Sequence, residues 1–168
     1  PEAARALQEF VDDMSNWYVR RCRDRFWAKG MEQDKVNAYM TLYTALVTVC
    51  KAAAPMIPFM TEEIYQNIVR SVDASAKESI HLCDFPVYNA EQVDEKLEAD
   101  MDLVLKIVVL GRACRNGAAI KNRQPIGQMY VKAEASLPDY DEAIILDELN
   151  VKNITFTDDV SNFTTYNF

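Results

Sequence analysis

An apolar repeat with helical period, running from Leu7 to Phe26, constrains this chain more than any other feature. At about 100° per residue, Leu7, Val11, Met14, Tyr18, Cys22 and Phe26 line one side. The stretch beginning near Ala3 is therefore expected to be an amphipathic helix with that stripe turned to a core. Gly30 follows the last periodic residue, where helices commonly turn off through a left-handed residue. Asn16, Arg20, Arg23 and Trp27 fall on the opposite side, at spacings of four, three and four. Arg21 and Arg25 sit near the stripe and either snorkel at its edge or pair with buried carboxylates. Four arginines within six residues, flanked by Trp17 and Trp27, form either a solvated charged face or a recognition surface.

The distribution of charge favours recognition. The chain carries 18 Lys and Arg against 26 Asp and Glu, a formal net charge of −8. Yet Ser15 to Lys29 holds five basic residues and one acid, a local +4. Leu103 to Lys132 holds six basic residues (Lys106, Arg112, Arg115, Lys121, Arg123, Lys132) and no acid, a local +6, which leaves −18 for the remainder. So acidic a chain repels polyanions except where basic groups gather. Two such islands point to a localised polyanion footprint, whose partner is nucleic acid, an acidic protein surface or phosphate.

Other classes are disfavoured. A length of 168 residues with 49% hydrophobic content suits a folded protein with one good core or two small ones. Cys22, Cys50, Cys83 and Cys114 include no close pair, so neither a zinc ribbon nor a disulfide scaffold is expected, and the thiols read as reduced and cytoplasmic. No uninterrupted apolar stretch reaches the roughly 18 residues of a membrane span, and the N-terminus lacks a signal peptide's layout. Pro1 stands where a methionine would open a complete chain, so the sequence reads as a piece of something longer. His81 is the single histidine; no nucleophile or metal-ligand spacing accompanies it, and a structural role is expected. The four scattered glycines (Gly30, Gly111, Gly117, Gly127) make no phosphate-cradling loop. No catalytic residue, metal ligand or cofactor site is expected in this chain.

Beyond Gly30, Asp34 is expected to cap a second helix running to about Ala53, with Val36, Tyr39, Met40, Tyr43, Leu46, Val47 and Cys50 as its apolar face. Pro55 and Pro58 end it, and Ala54 to Phe59 is apolar enough to predict a buried bend. Thr61 is expected to cap a third helix from Glu62 to about Ser71, with Glu62 and Glu63 in its first turn. A long fourth helix is expected from Glu91 to about Gly117, with Val93, Leu97, Met101, Val104, Leu105 and Val108 as its face. Gly111 interrupts it at about 1 kcal/mol relative to alanine and permits close helix packing. Arg112 and Arg115 lie in its last turns, where positive charge suits the helix dipole. A strand over Gly127 to Ala133, a short helix from Pro138 to Leu149 ended by Asn150, and a strand over Val151 to Phe156 follow. Asp158 to Phe168 has little pattern. The expected fold is mainly α, an antiparallel helical bundle over 1–90 followed by a small α/β appendage over 91–168, the long helix plus a β-α-β subdomain.

Asp13-Met14-Ser15-Asn16-Trp17-Tyr18-Val19-Arg20-Arg21, running on to Arg25-Phe26-Trp27, resembles the anticodon-binding domain of class I isoleucyl-tRNA synthetases. Valyl enzymes usually have an acidic or neutral continuation where this chain has Arg20-Arg21. Four more motifs follow in family order: Pro55 to Tyr65, Ser79 to Pro86, the basic loop Ile120-Lys121-Asn122-Arg123-Gln124-Pro125-Ile126, and Glu148 to Lys152. Together they cover most of residues 3 to 157. The histidine-rich and lysine-serine signatures of the family's catalytic domains are missing. In that family another helix normally precedes residue 3, and without it part of the bundle's apolar surface is expected to stand uncovered.

The resemblance implies a non-catalytic segment of a cytoplasmic synthetase that activates isoleucine and charges tRNA(Ile), with ATP and magnesium in a separate catalytic domain of the parent chain. This segment would hold the anticodon arm and adjoin that catalytic domain, with no cofactor and no membrane contact. The contacts implied are Asn16, Arg20, Arg23 and Trp27 on the polar face, Arg21 at its border, and Lys121 and Arg123 from the basic loop. Arginines suit phosphates, and Trp27 or guanidinium planes suit stacking on unpaired bases. Two alternatives stand beside this one: the equivalent domain of a valyl or leucyl enzyme, and a helical interaction module docking an acidic protein.

Overall fold

The structure is a computed structural model that describes residues 1–133, 137–161 and 163. It is mainly helical, with a small β-α-β element towards the C-terminus, as the periodicities predict. The chain divides into two compact units, Pro1–Tyr88 and Asn89–Phe168.

In the first unit the opening helix is not continuous. Helix α1 (Glu2–Asp13) passes into a π-helical turn, Met14–Val19; the helix then breaks at Cys22 (φ −81°, ψ 6°) before α2 (Arg23–Trp27). A π turn takes in one residue more than an α turn, and one residue is about 100° of helix phase. The predicted stripe is therefore not a single face. No residue of α1 is buried and Val11 is exposed, whereas Met14, Tyr18 and Phe26 are half-buried and Cys22 is buried.

Helix α3 (Gln33–Ala53) starts from Glu32, not from the predicted cap Asp34, whose carboxylate is taken by Arg25. Pro58 occupies the first turn of α4 (Pro58–Tyr65), where its missing N–H is not needed. The helix thus begins ahead of Thr61. That residue is buried inside it, its hydroxyl donating to the Ile57 carbonyl at 3.0 Å. The predicted buried bend is corrected as well: Phe59 is 90% exposed and Met60 62%. The cause is helical geometry. Thr61 and Tyr65, four apart, share the face that α4 packs inward, which leaves Phe59 and Met60 outside. The core of this unit is Cys50, Ala54, Tyr65 and Ile80, with Val49, Ile64, Val69 and Cys83 packed around it. His81 lies in the short turn Ile80–Leu82, its backbone N–H bonded to the Ser79 hydroxyl and its ring 3.9 Å from Glu62.

In the second unit α5 (Glu95–Gly117) is capped by Asp94, which accepts the Leu97 N–H at 3.0 Å. The predicted first residues, Glu91 to Val93, belong instead to a separate turn and an extended link. Val104, Ile107 and Val108 are buried on α5, as are Ile145 and Leu149 on α6 (Asp139–Leu149). At Gly111 these helices approach closely: a Cβ there would lie 2.3 Å from Leu149 Cδ1. Asn150 ends α6 in the left-handed conformation, φ 48° and ψ 55°. Strands β1 (Met129–Lys132) and β2 (Ile154–Thr157) pair in parallel, Met129 opposite Ile154, and an isolated bridge joins Ile126 to Val151. Parallel pairing needs a crossover, which α6 provides. Both strands are shorter than predicted, and most of the patternless tail lies outside the described residues.

Candidate nucleic-acid interface

The break at Cys22 sorts the first basic island into inward and outward groups. Inward, the Tyr18 hydroxyl donates to the Ala38 carbonyl at 3.0 Å, and the Phe26 ring packs against Tyr18 and Tyr39 with centroids 6.4 and 5.0 Å away. The Lys35 ammonium donates to the Ala28 carbonyl at 2.8 Å and closes the end of α2. Arg25 is also structural. Its guanidinium grips Asp34 as a fork, Nε to Oδ2 at 2.8 Å and Nη2 to Oδ1 at 2.7 Å. That hydrogen bond pushes the Arg25 pKa further above its usual value and holds the Asp34 carboxyl below the usual carboxylate range. Of the two roles open to Arg25 from sequence, the structure selects pairing, with a carboxylate that is itself exposed.

Outward, two cation–π pairs stand on the surface. The Arg23 guanidinium lies 5.7 Å from the Trp27 ring centroid, and Trp27 is 78% exposed. The Arg20 guanidinium lies 5.6 Å from the ring of Trp17, which is half-buried, and its Nε donates to the Asn16 carbonyl at 2.7 Å. Of the residues expected to meet RNA, the structure brings Asn16, Arg20, Arg23 and Trp27 to this exposed region, with Arg21 half-buried at its edge. An exposed indole with a guanidinium held against it is a ready platform for a flat, negatively charged ligand, because every nucleobase offers a π face and every nucleotide a phosphate.

The second island is mostly spent on structure. Arg112 pairs with Glu148 at 2.6 Å, and Glu148 is 2% exposed. Arg115 is buried, its Nε donating to the Leu149 carbonyl at 3.0 Å and its Nη2 to Gln124 at 2.6 Å. These bonds hold the basic loop, which also turns through Gln124 N–H to the Lys121 carbonyl at 2.9 Å. Lys121 and Arg123 remain exposed on it. They belong to the second unit and the other five candidates to the first. The inward turn of Arg115 escaped sequence reading, which counted it as island charge. The available signal was Gly111, since a helix face that approaches another closely at one turn buries the residue four positions on. Among the described residues no group of three or more His, Cys, Asp or Glu is placed to hold a metal, and no helix is long and apolar enough to cross a membrane.

Residues 1–131 match a family model described as the anticodon-binding domain of tRNA ligase. The chain is 54% identical over 165 residues to an isoleucine–tRNA ligase of Clostridium novyi (strain NT), covering 98% of this chain and 16% of that protein. It is 51% identical over 166 residues to that of Clostridium tetani (strain Massachusetts / E88), with 99% and 16% covered. It is 46% identical over 157 residues to that of Dehalococcoides mccartyi (strain CBDB1), with 90% and 15% covered. The chain thus spans about one sixth of the length of these relatives.

Proposed function

Because the chain belongs to the anticodon-binding domain family of tRNA ligases, we propose that it is the segment of an isoleucine–tRNA ligase that holds the anticodon arm of tRNA(Ile). In this reading the parent enzyme works in the cytoplasm, activates isoleucine with ATP and magnesium in its catalytic domain, and charges the tRNA. This segment supplies binding, not chemistry. The observation that carries the reading is the exposed Arg23–Trp27 pair on a short helix anchored by Arg25, Tyr18 and Phe26. Trp27 stacks on an unpaired base of the loop, while Arg23, Arg20 and Asn16 follow the backbone, Arg21 borders them, and Lys121 and Arg123 form a second set of contacts.

Trp27→Ala and Arg23→Ala test this through tRNA(Ile) binding by the 168-residue chain over a range of salt. Losing one stacked base costs about 1–3 kcal/mol, so Trp27→Ala should weaken binding roughly 5- to 150-fold with little change in salt slope. Arg23→Ala should flatten the slope of log K by roughly 0.7–0.9 if it meets a phosphate. Both residues are exposed, so melting temperatures should barely move. Parent affinity and parent slope in both variants would reduce this surface to solvated charge.

A further inference from the structure

Arg115 is a buried cation whose hydrogen-bond partners are all carbonyls. It is 4% exposed, and to the bonds with Leu149 and Gln124 it adds longer ones to the carbonyls of Asn122 at 3.3 Å and Asn150 at 3.4 Å. Its Nη1 is shut off from solvent and has no partner among the described residues. Carbonyl dipoles satisfy N–H groups but do not cancel a charge, so the guanidinium stays unneutralised where charge is expensive. Beside it lies a cavity of about 230 Å³ walled by Arg112, Arg115, Asn116, Ile120 and Asn122. None of the five is acidic. Arg112 commits Nη2 to Glu148, and a guanidinium has five N–H donors, so donors remain on this half-exposed side chain. Asn116 is exposed and makes no side-chain hydrogen bond among the described residues. Lys121 and Arg123 flank the cavity in sequence, on the loop that Arg115 holds.

We propose that this cavity at the end of α5 is a phosphate site, and that in the bound complex it takes one phosphate of an RNA backbone. The Asn122 amide already donates to the Glu148 carbonyl at 3.2 Å. The donors open to the cavity are therefore the remaining N–H groups of Arg112 and the Asn116 carboxamide, with the buried Arg115 charge behind them and no carboxylate in the wall. That pattern suits an oxyanion. The volume holds such an anion together with some of its water. Glu148 offsets the charge of Arg112, and the C-terminal end of α5 opposes an anion with about half a negative charge, which the full, unpaired charge of Arg115 outweighs. Affinity for phosphate stands on the cavity alone, while RNA as its source rests on the anticodon-arm reading above.

The probe is inorganic phosphate, titrated into the isotope-labelled 168-residue chain at constant ionic strength and followed by backbone amide shifts. Saturable shifts are expected at Asn116, Lys121 and Asn122. Asn116→Asp sets a carboxylate in the wall without touching the carbonyl bonds of Arg115, and should weaken phosphate about tenfold. Asn116→Lys adds the opposite charge and should tighten it. A mere disturbance of the fold does not produce changes of opposite sign. With tRNA(Ile), Asn116→Asp should also weaken binding and flatten the salt slope by roughly 0.7–0.9. No saturable shift in the parent chain overturns the site. Phosphate binding with unchanged tRNA affinity and slope in Asn116→Asp overturns RNA as the source and leaves free phosphate. If tRNA binding is instead absent, or indifferent to Arg23 and Trp27, the anticodon-arm reading fails and RNA as the source with it, while the phosphate titration still decides the site.

Discussion

Gly111→Ala sets two effects of opposite sign against each other within α5. In a helix interior, alanine is favoured over glycine by about 1 kcal/mol. Against that, the new Cβ would lie 2.3 Å from Leu149 Cδ1, 3.0 Å from Cδ2 and 3.3 Å from Cγ. Carbon atoms pack at about 3.5–4.0 Å, so the first overlap exceeds 1 Å. Leu149 is 1% exposed and cannot swing into solvent. Overpacking of this kind costs about 1–3 kcal/mol, and a clash this severe belongs near the upper end. The net expectation is a loss of roughly 1–2 kcal/mol. Leu149→Ala alone should cost about 2–5 kcal/mol through its cavity. In that background the clash is gone, and adding Gly111→Ala should stabilise by up to about 1 kcal/mol. The sign of one substitution thus reverses with the identity of one neighbour. Native-state exchange of the Ile145 and Leu149 amides reads α6 directly, even if the two units do not unfold together. If Gly111→Ala stabilises the parent chain, or has the same sign in both backgrounds, close approach of α5 and α6 is not what this glycine is for.

Arg115→Met keeps the volume but abandons the carbonyls of Leu149 and Gln124. It should cost about 2–5 kcal/mol and loosen residues 121–124, seen as faster amide exchange in that loop. Glu62 ionises below the usual 4.5 because the Ser79 hydroxyl, with the Gln66 amide and the Ile80 N–H, donates to its carboxylate. A depressed folded value means stability present above the ordinary carboxyl range and lost as pH falls through the folded one. Glu62→Gln should therefore flatten the acid limb of the melting-temperature profile, and an unaltered limb would refute the role. Trp17→Ala should lower stability by about 1–3 kcal/mol, less than the 3–5 of a fully buried tryptophan, since the ring is half-buried under Arg20. An unchanged melt with lost tRNA binding would place Trp17 on the binding surface.

Periodicity and punctuation by themselves determined the helical class, the β-α-β appendage, the helix end at Asn150 and the room for close packing at Gly111. Each depends on bonds or steric limits between residues close in the chain, or on the absence of a Cβ. Asn16, Arg20, Arg23 and Trp27 were legible as exposed residues, because the inward positions Met14, Tyr18, Cys22 and Phe26 recur every four residues and leave these four on other sides. Only the tertiary structure decided what became of the other charges. Whether Arg25, Arg112 and Arg115 meet a ligand depends on Asp34, Glu148 and the Leu149 carbonyl, which lie 9, 36 and 34 residues away. A charge count over a window does not register partners at that distance. The same holds for burial. Phe59 is as apolar as any core residue, yet it is 90% exposed, because the side that α4 turns inward is set by the pair Thr61 and Tyr65 packing onto a neighbouring helix. Local composition says how much apolar surface a segment carries, and only its packing partners say which part is covered.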